Sequence, residues 1–466
     1  MSKVSIQLIP NKPLFYKVAG VWLITMTGLI AFAAYFNIFE APRAQLEVLT
    51  TINYGLLMVF MALALPKGIW SISFIFFAAF GLFHGGLVLA NAFSAISDED
   101  ILYTISFWFY NVETENAIHL INLGMSAFCI AAIVFSRSSS IGIEPEQAPE
   151  KFNKRMFHMG GLILTLMVGI FFLVSIALGV IQSYGAYLNL LSTSPIFGTV
   201  YAYIYLFIGL GLVVVSVSYR PGFGIWYFAI FGVWALFAFK LGLRGEVMFP
   251  GTVAAAMLGR RMVPIKTFTL VILVVLFLVV TGIVKNARIS GDYSAVDSIN
   301  PMNAVAEMGA SLRAVQEVIK WRKQGDDLLM GGSYWAPIER QLALLLPGLD
   351  RRNVNEDPRL LNVVVQRRAG PIGFSPVAEA YINFGEKGVV LVFALLGVIM
   401  AKLDNARSRV RFDHFLGVAL VPVFIMIRNS FTHVPVQIII GMILVWGMMY
   451  VASNRIDMQS TIVDND

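Results

Sequence analysis

Glu379, Asn383 and Glu386 stand at i, i+4 and i+7 in the stretch AEAYINFGEKG, so on a helix they share one face. The next twelve residues, VVLVFALLGVIM, are apolar enough to sit in lipid. A polar face at the mouth of such a span is either a cavity wall or the interfacial end of a helix. Glu386 and Lys387, set between Gly385 and Gly388, read as a turn or a break. Glu379 differs, because small and apolar residues surround it and Pro376 before it suits a helix start. The helix macrodipole alone favours an acid in that first turn. An acid at the edge of a span also suggests proton transfer. Both readings stay open.

Arginines make the second set. Arg244 lies in KLGLRGEVMFP, Arg428 in FIMIRNSFTH, and Arg351 and Arg352 in LLLPGLDRRN. An arginine placed in hydrocarbon costs roughly 2.5–3.5 kcal/mol, so it snorkels to water or faces a polar cavity. Its planar guanidinium suits two-pronged contact with phosphate. Gly242 and Gly245 flank Arg244 and leave the backbone there open to a ligand. His433 follows Arg428 closely, and the two are expected in the same cavity. His84, beside Gly85-Gly86, and His119 read as packed histidines bonded across helices. Asp98-Glu99-Asp100 spells an acid-x-acid metal pattern, but no second ligand cluster accompanies it. No spacing suggests a metal site, and there is no glycine-rich phosphate loop or dinucleotide fingerprint.

These residues need a scaffold, and composition says which kind. Of 466 residues, 58% are hydrophobic and 13% charged, whereas soluble domains carry about 25% charged residues. Mean hydropathy is +0.75. The expectation is an all-α polytopic membrane protein with about twelve spans. They fall near residues 19–37, 49–66, 69–95, 117–136, 157–181, 200–218, 222–241, 243–259, 264–284, 377–402, 413–428 and 433–452. The one cysteine, Cys129, lies in an apolar run, which excludes a disulfide framework and a thiolate zinc site. A net charge of +6 reflects basic loops rather than nucleic-acid binding. The N-terminus reads as a retained first span, not a cleaved signal.

Short-loop lysines and arginines put both termini in the cytoplasm. The chain then divides into nine spans over residues 1–284, a long outer loop over 285–375, and three spans with a cytoplasmic tail over 376–466. The loop carries twelve basic residues, and loops longer than roughly 60 residues escape the positive-inside constraint. Asn300-Pro301 starts an amphipathic helix near 301–324, with Val305, Met308, Leu312, Val315 and Ile319 on one face, ending near Gly325. It is expected over the membrane face, followed by a less regular basic segment.

The GLRGEV stretch, the LLLPGLDRRN segment in a late outer loop, the run PVAEAYINFG leading into a span, and Arg428 after it form a set. Together, over about residues 235–435, they resemble the Wzy-type O-antigen and oligosaccharide repeat-unit polymerases of bacteria. The resemblance implies a fold related to the GT-C class of membrane glycosyltransferases. It implies a site at the periplasmic face of the inner membrane. A growing glycan on undecaprenyl pyrophosphate would move to the terminal sugar of a newly flipped repeat unit. No cofactor, metal or nucleic acid is expected. The partners are undecaprenyl-pyrophosphate-linked oligosaccharides and membrane lipid, with room for a protein that regulates chain length. Arg244, Arg428 and one of Arg351 or Arg352 would face the pyrophosphate. Glu379 would serve the acceptor side, with Tyr381, Asn383 and His433 contacting substrate. An O-antigen ligase would share the clamp but use another acceptor. A transporter or flippase of lipid-linked oligosaccharide would show inverted repeats, and none is visible. Arg244→Glu is expected to abolish long-chain product while leaving membrane expression intact, as read on a glycan gel. A near-normal chain-length distribution in Arg244→Ala would contradict a clamp role for it.

Overall fold

The computed structural model describes residues 13–35, 42–93, 106–137, 148–180, 184–261, 301–346 and 352–463. Among them the chain is helical, without strand. The first helices are α1 (Pro13–Tyr35), α2 (Arg43–Ala64), α3 (Ile72–Ala92), α4 (Val112–Phe135) and α5 (Glu150–Ala177). Then come α6 (Tyr184–Thr193), α7 (Pro195–Ser218), α8 (Trp226–Lys240) and α9 (Arg244–Arg260). The long connection holds α10 (Pro301–Met308), α11 (Leu312–Lys323), α12 (Gly332–Leu345) and α13 (Leu361–Ala369). The chain ends with α14 (Pro376–Asn405), α15 (Val410–Ile425) and α16 (Val434–Val463).

Eight helical segments among the described residues are long and apolar enough to cross a membrane. The expected spans near 222–241 and 243–259 are instead α8 and α9, helices of 15 and 17 residues. Both are shorter than the roughly 20 residues typical of a span, and α9 stands at the lower limit of about 17. Lys240, Gly242 (φ 73°) and Arg244 interrupt the apolar run between them. The span expected at 264–284, the acidic run Asp98–Asp100, Asn300 and Arg351 lie outside the described residues.

The chain forms two compact units. The first comprises residues 1–143, 300–406 and 426–435. Its centre is α14 on α4, where small residues permit close approach. A Cβ on Gly397 would lie 2.4 Å from the Phe128 carbonyl oxygen, and one on Gly124 would lie 3.3 Å from Phe393. Buried amides tie α2 to α4: Asn53 donates to Asn122 at 3.0 Å and Asn122 to Thr50 at 2.8 Å. Asp404, near the end of α14, accepts from the Ile72 and Ser73 backbone N–H groups at 2.7 and 3.0 Å. It thereby caps the N-terminus of α3 from another helix.

The expected amphipathic helix exists, from Pro301 to Lys323, but a 3-10 turn at Gly309–Ser311 splits it into α10 and α11. A Cβ on Gly309 would sit 1.9 Å from the Leu87 nitrogen, and one on Gly86 2.3 Å from the Val305 carbonyl oxygen. The two backbones are thus in contact. Val305, Met308, Leu312, Val315 and Ile319 are all buried. The pair packs on α3, α4 and α14, which take up the face expected over lipid. Among its described residues, the less regular segment beyond it contains two further helices, α12 and α13.

The second unit comprises residues 144–299, 407–425 and 436–466. Gly211 lies against the Gly160 carbonyl of α5, and Gly209 against Pro250 of α9. Arg260 and Asp413 form a buried ion pair at 2.8 Å. Arg261 and Ser408 approach the other Asp413 oxygen. Ser218 and His414 pair at 2.8 Å, also buried.

Gly397→Val is expected to push α14 off the Phe128 carbonyl and lower stability by about 1–3 kcal/mol. The readout is a lower thermal midpoint in detergent, and an unchanged midpoint would contradict the packing described.

Candidate functional site

Helix α14 begins with a side-chain cap. Ser375 Oγ accepts from the Val377 and Ala378 backbone N–H groups at 3.1 and 3.5 Å. Pro376 occupies the first helical position, where no N–H is needed. The Ser375 hydroxyl pairs with His84 Nε2 at 2.7 Å, and His84 Nδ1 pairs with the Phe80 carbonyl at 3.0 Å. His84 is thus a satisfied, packed histidine that holds the helix start against α3.

Glu379 comes one turn in. It is fully buried, and both of its oxygens are engaged. Oε1 accepts from Ser333 Oγ at 2.7 Å, and Oε2 accepts from the Phe431 backbone N–H at 2.7 Å. A carboxylate in such a place is tolerable only when donors replace its water. Asn383 follows on the same face and is also spent internally. Its Oδ1 accepts from the Gly331 and Ser333 backbone N–H groups, at 3.0 and 3.4 Å. Its Nδ2 donates to Ser333 Oγ and to the Glu379 carbonyl, both at 2.7 Å.

The expected break is real and lies at Gly385, with φ 68° and ψ −158°. In an unbroken helix the carbonyls of Ile382 and Asn383 would accept from residues 386 and 387. Here they accept from the backbone N–H groups of Leu329 and Met330, at 3.0 and 3.1 Å. Met330 and Gly331 adopt positive φ (47° and 88°) as the chain turns into α12. The start of α12 is therefore docked on the interruption in α14. Tyr334 adds a stacked ring on Phe384 and an edge contact with Phe431. Its hydroxyl is buried with no hydrogen-bond partner among the described residues. Burial, with the Glu379 charge adding to it, pushes this phenol well above its usual range.

Two hydrogen bonds through its main chain fasten the turn at 426–433. Phe431 N–H binds Glu379, and the Arg428 carbonyl accepts from Phe374 N–H at 2.9 Å. Gly373 (φ 75°) makes room for this: a Cβ there would lie 2.8 Å from the Arg428 carbonyl oxygen and 3.8 Å from its Nε. The Arg428 guanidinium is half-buried, and among the described residues it has no hydrogen bond or ion pair. His433 is exposed, its Nε2 paired with the Asn362 amide of α13 at 3.2 Å.

The structure therefore brings Glu379, Asn383, Arg428 and His433 into one assembly, but gives them different positions in it. Glu379 and Asn383 lie inside, covered by Ser333 and Phe431, and present no open face. Arg428 and His433 lie outward on the turn that Glu379 fastens. Tyr381, two residues from Glu379, lies on another side of α14, within electrostatic reach of Glu386 and Arg322. Arg352 is exposed, and its carbonyl accepts from Arg340 at 2.6 Å. Arg244 is buried at the first position of α9, in the second unit.

Ser333, Phe431, Ser375 and Tyr334 were not legible as partners in the sequence. Phe431 acts through its backbone, which no residue type reveals. The pair Gly331-Gly332 before a Ser and an aromatic was the available signal for a tight approach. Two other arginines of the connection are held in pairs. Arg359 binds Asp357 at 2.9 and 3.0 Å and Glu339 at 2.7 Å. Burial would raise the Asp357 carboxyl, but the Arg359 hydrogen bonds outweigh it and hold it below the usual aspartate range. This clamp is therefore intact at neutral pH and weakens only as pH falls through that lowered range. Arg368 lies over Trp321 and pairs with Asp326.

Many apolar spanning helices, with a folded helical connection fastened to one of them beside an outward arginine, define a multi-pass membrane protein with a built polar site. The family model for O-antigen polysaccharide polymerase Wzy matches residues 20–455. The chain belongs to that family, whose members polymerise lipid-linked oligosaccharide repeat units. Protein CapE of Staphylococcus aureus is 26% identical over 372 residues, covering 79% of this chain and 80% of that protein. No solved structure matches the chain significantly.

Glu379→Ala leaves the Phe431 N–H and the Ser333 hydroxyl without their acceptor, at roughly 1–3 kcal/mol for each stranded donor. Limited proteolysis is expected to cut faster between residues 326 and 346 in that variant. Glu379→Gln keeps an acceptor for Phe431 and should cut near the parent rate. Equal loosening in both would show that the charge, not the hydrogen bonding, holds the segment.

Proposed function

We propose that the chain polymerises undecaprenyl-pyrophosphate-linked repeat units at the periplasmic face of the inner membrane. An acceptor hydroxyl on the new unit attacks the anomeric carbon of the donor glycan. The bond from that carbon to the pyrophosphate oxygen breaks, and undecaprenyl pyrophosphate leaves with the electron pair. The proton of the acceptor hydroxyl passes to the departing pyrophosphate oxygen or to water at that face. About twelve spans, a GT-C-like arrangement and a periplasmic location for the 285–375 connection belong to the same reading.

The observation that carries it is the half-buried Arg428 guanidinium, held on a doubly fastened turn with no partner among the described residues. A fixed cation is what a departing pyrophosphate requires, because its charge develops as the glycosidic bond breaks. Arg352, exposed in the connection, and Arg244 are further proposed contacts for that charge, with Arg351 as the alternative to Arg352. His433 and Asn362 are suited to sugar hydroxyls. The buried, fully bonded Glu379 is better suited to positioning Arg428 through Phe431 than to taking the acceptor proton itself.

The test is reconstitution in proteoliposomes with a purified lipid-linked repeat unit, following product ladders and released lipid pyrophosphate. Arg428→Ala is expected to slow both by about 10²–10³-fold, the usual scale for losing one charge-stabilising donor. Glu379→Gln should retain most activity. Full activity in Arg428→Ala would overturn the clamp. An inactive Glu379→Gln with its connection still docked would return Glu379 to proton transfer.

A further inference from the structure

Helix α12 has an outer face that no described residue of its own unit covers. Trp335, Ile338 and Leu342 recur at i, i+3 and i+7 and are 54%, 36% and 36% exposed. Met330 before the helix and Leu346 after it extend the stripe, at 73% and 52% exposed. With 14 residues, the helix is roughly 21 Å long at 1.5 Å per residue. That is too short to cross hydrocarbon.

We propose that α12 is an interfacial helix, lying in the headgroup and acyl boundary of the bilayer beside the entrance of α14. Three observations choose lipid as the occupant. First, the stripe is continuous with a spanning helix. Tyr334 stacks on Phe384 of α14, and Gly331 lies against the same ring. Phe384 is itself partly exposed, and α14 goes on to expose Leu391 and Leu395. An apolar surface on a membrane-crossing helix faces acyl chains, and α12 extends it sideways at the helix mouth. Second, the charge nearest the stripe is neutralised. Glu339 pairs with Arg359 at 2.7 Å, and Arg359 is also fixed by Asp357. Third, the largest exposed group is a tryptophan, the side chain favoured at the membrane boundary. An amphipathic helix of this kind binds along the interface by its apolar face. The inward face is meanwhile committed to α14 through Ser333, so the helix has one side for protein and one for lipid.

The consequence is positional. The start of α12 is bonded to Glu379 and Asn383, so anchoring its outer face in lipid fixes the depth of the Arg428 turn.

The test uses full-length chains reconstituted in phosphatidylethanolamine and phosphatidylglycerol nanodiscs. Nitroxides are attached at Trp335→Cys, Ile338→Cys and Leu342→Cys, with Asn355→Cys, on an exposed polar turn, as the control. Cys129 is buried, and the unsubstituted chain supplies its background. Power-saturation spectroscopy then compares collisions with oxygen and with a water-soluble nickel chelate. Labels on α12 should collide more with oxygen and less with nickel than the label at 355. Nickel access equal to the control would put the stripe in water. Protection from both quenchers would put it against protein, such as a second copy. Either result overturns the proposal. A second measurement guards against disturbance by the label. Brominated lipid should quench less of the total tryptophan emission in Trp335→Phe than in the parent, and equal fractional quenching would also overturn it.

Discussion

Glu379 carries a carboxylate into a fully buried position, and two separate segments are arranged to meet it. One oxygen is met by the hydroxyl of Ser333, from the start of α12. The other is met by the Phe431 amide, from the turn that carries Arg428 and His433. Neither segment neighbours Glu379 in sequence. A buried carboxylate stripped of its donors is costly, by several kcal/mol for an ion in a dry interior. That cost makes the arrangement selective, because the helix start is stable only with both segments in place. The Ser375 cap and its His84 partner hold the helix end to which the carboxylate belongs.

The break at Gly385 completes the latch. Breaking a helix strands carbonyls, and stranded carbonyls in an apolar setting demand donors. Leu329 and Met330 supply them. The polar stretch at the mouth of the span is thus a docking surface for the connection that precedes it. The two acids first seen there do different things: Glu379 is an internal fastening, while Glu386 lies just past the break. The same logic explains why Asn383 has no hydrogen-bonding capacity facing outward. Family membership supplies polymerisation of lipid-linked repeat units as the task, and the latch holds the turn that carries Arg428.

Much of this was legible from residue types. Apolar length gave most of the long helices, and the helical spacing from Val305 to Ile319 gave α10 and α11 together with their buried face. Pro376 and the glycines around Glu386 marked a helix start and a break. What failed has physical causes. The close contact of Gly309 with Leu87 is a backbone approach between distant segments, so the 3-10 turn could not be read locally. Pro337 and the paired glycines at 331–332 disguised α12 as irregular chain. Helices α8 and α9 are shorter than apolar length alone suggested, because the run is interrupted at Lys240 and Arg244. The partners of Glu379 were hidden as well, because a hydroxyl and a main-chain amide carry no sequence signature.

The central claim is that the latch is one cooperative unit, with α12 and the Arg428 turn held by the same helix start. Native-state amide exchange in nanodiscs tests it most directly, because groups that open together exchange with one common free energy. The account predicts that the amides of Leu329, Met330, Gly331 and Phe431 exchange with a shared opening free energy, and that Gly385→Ala lowers it for all four. Exchange of Phe431 independently of the other three, or unchanged in Gly385→Ala, would contradict it.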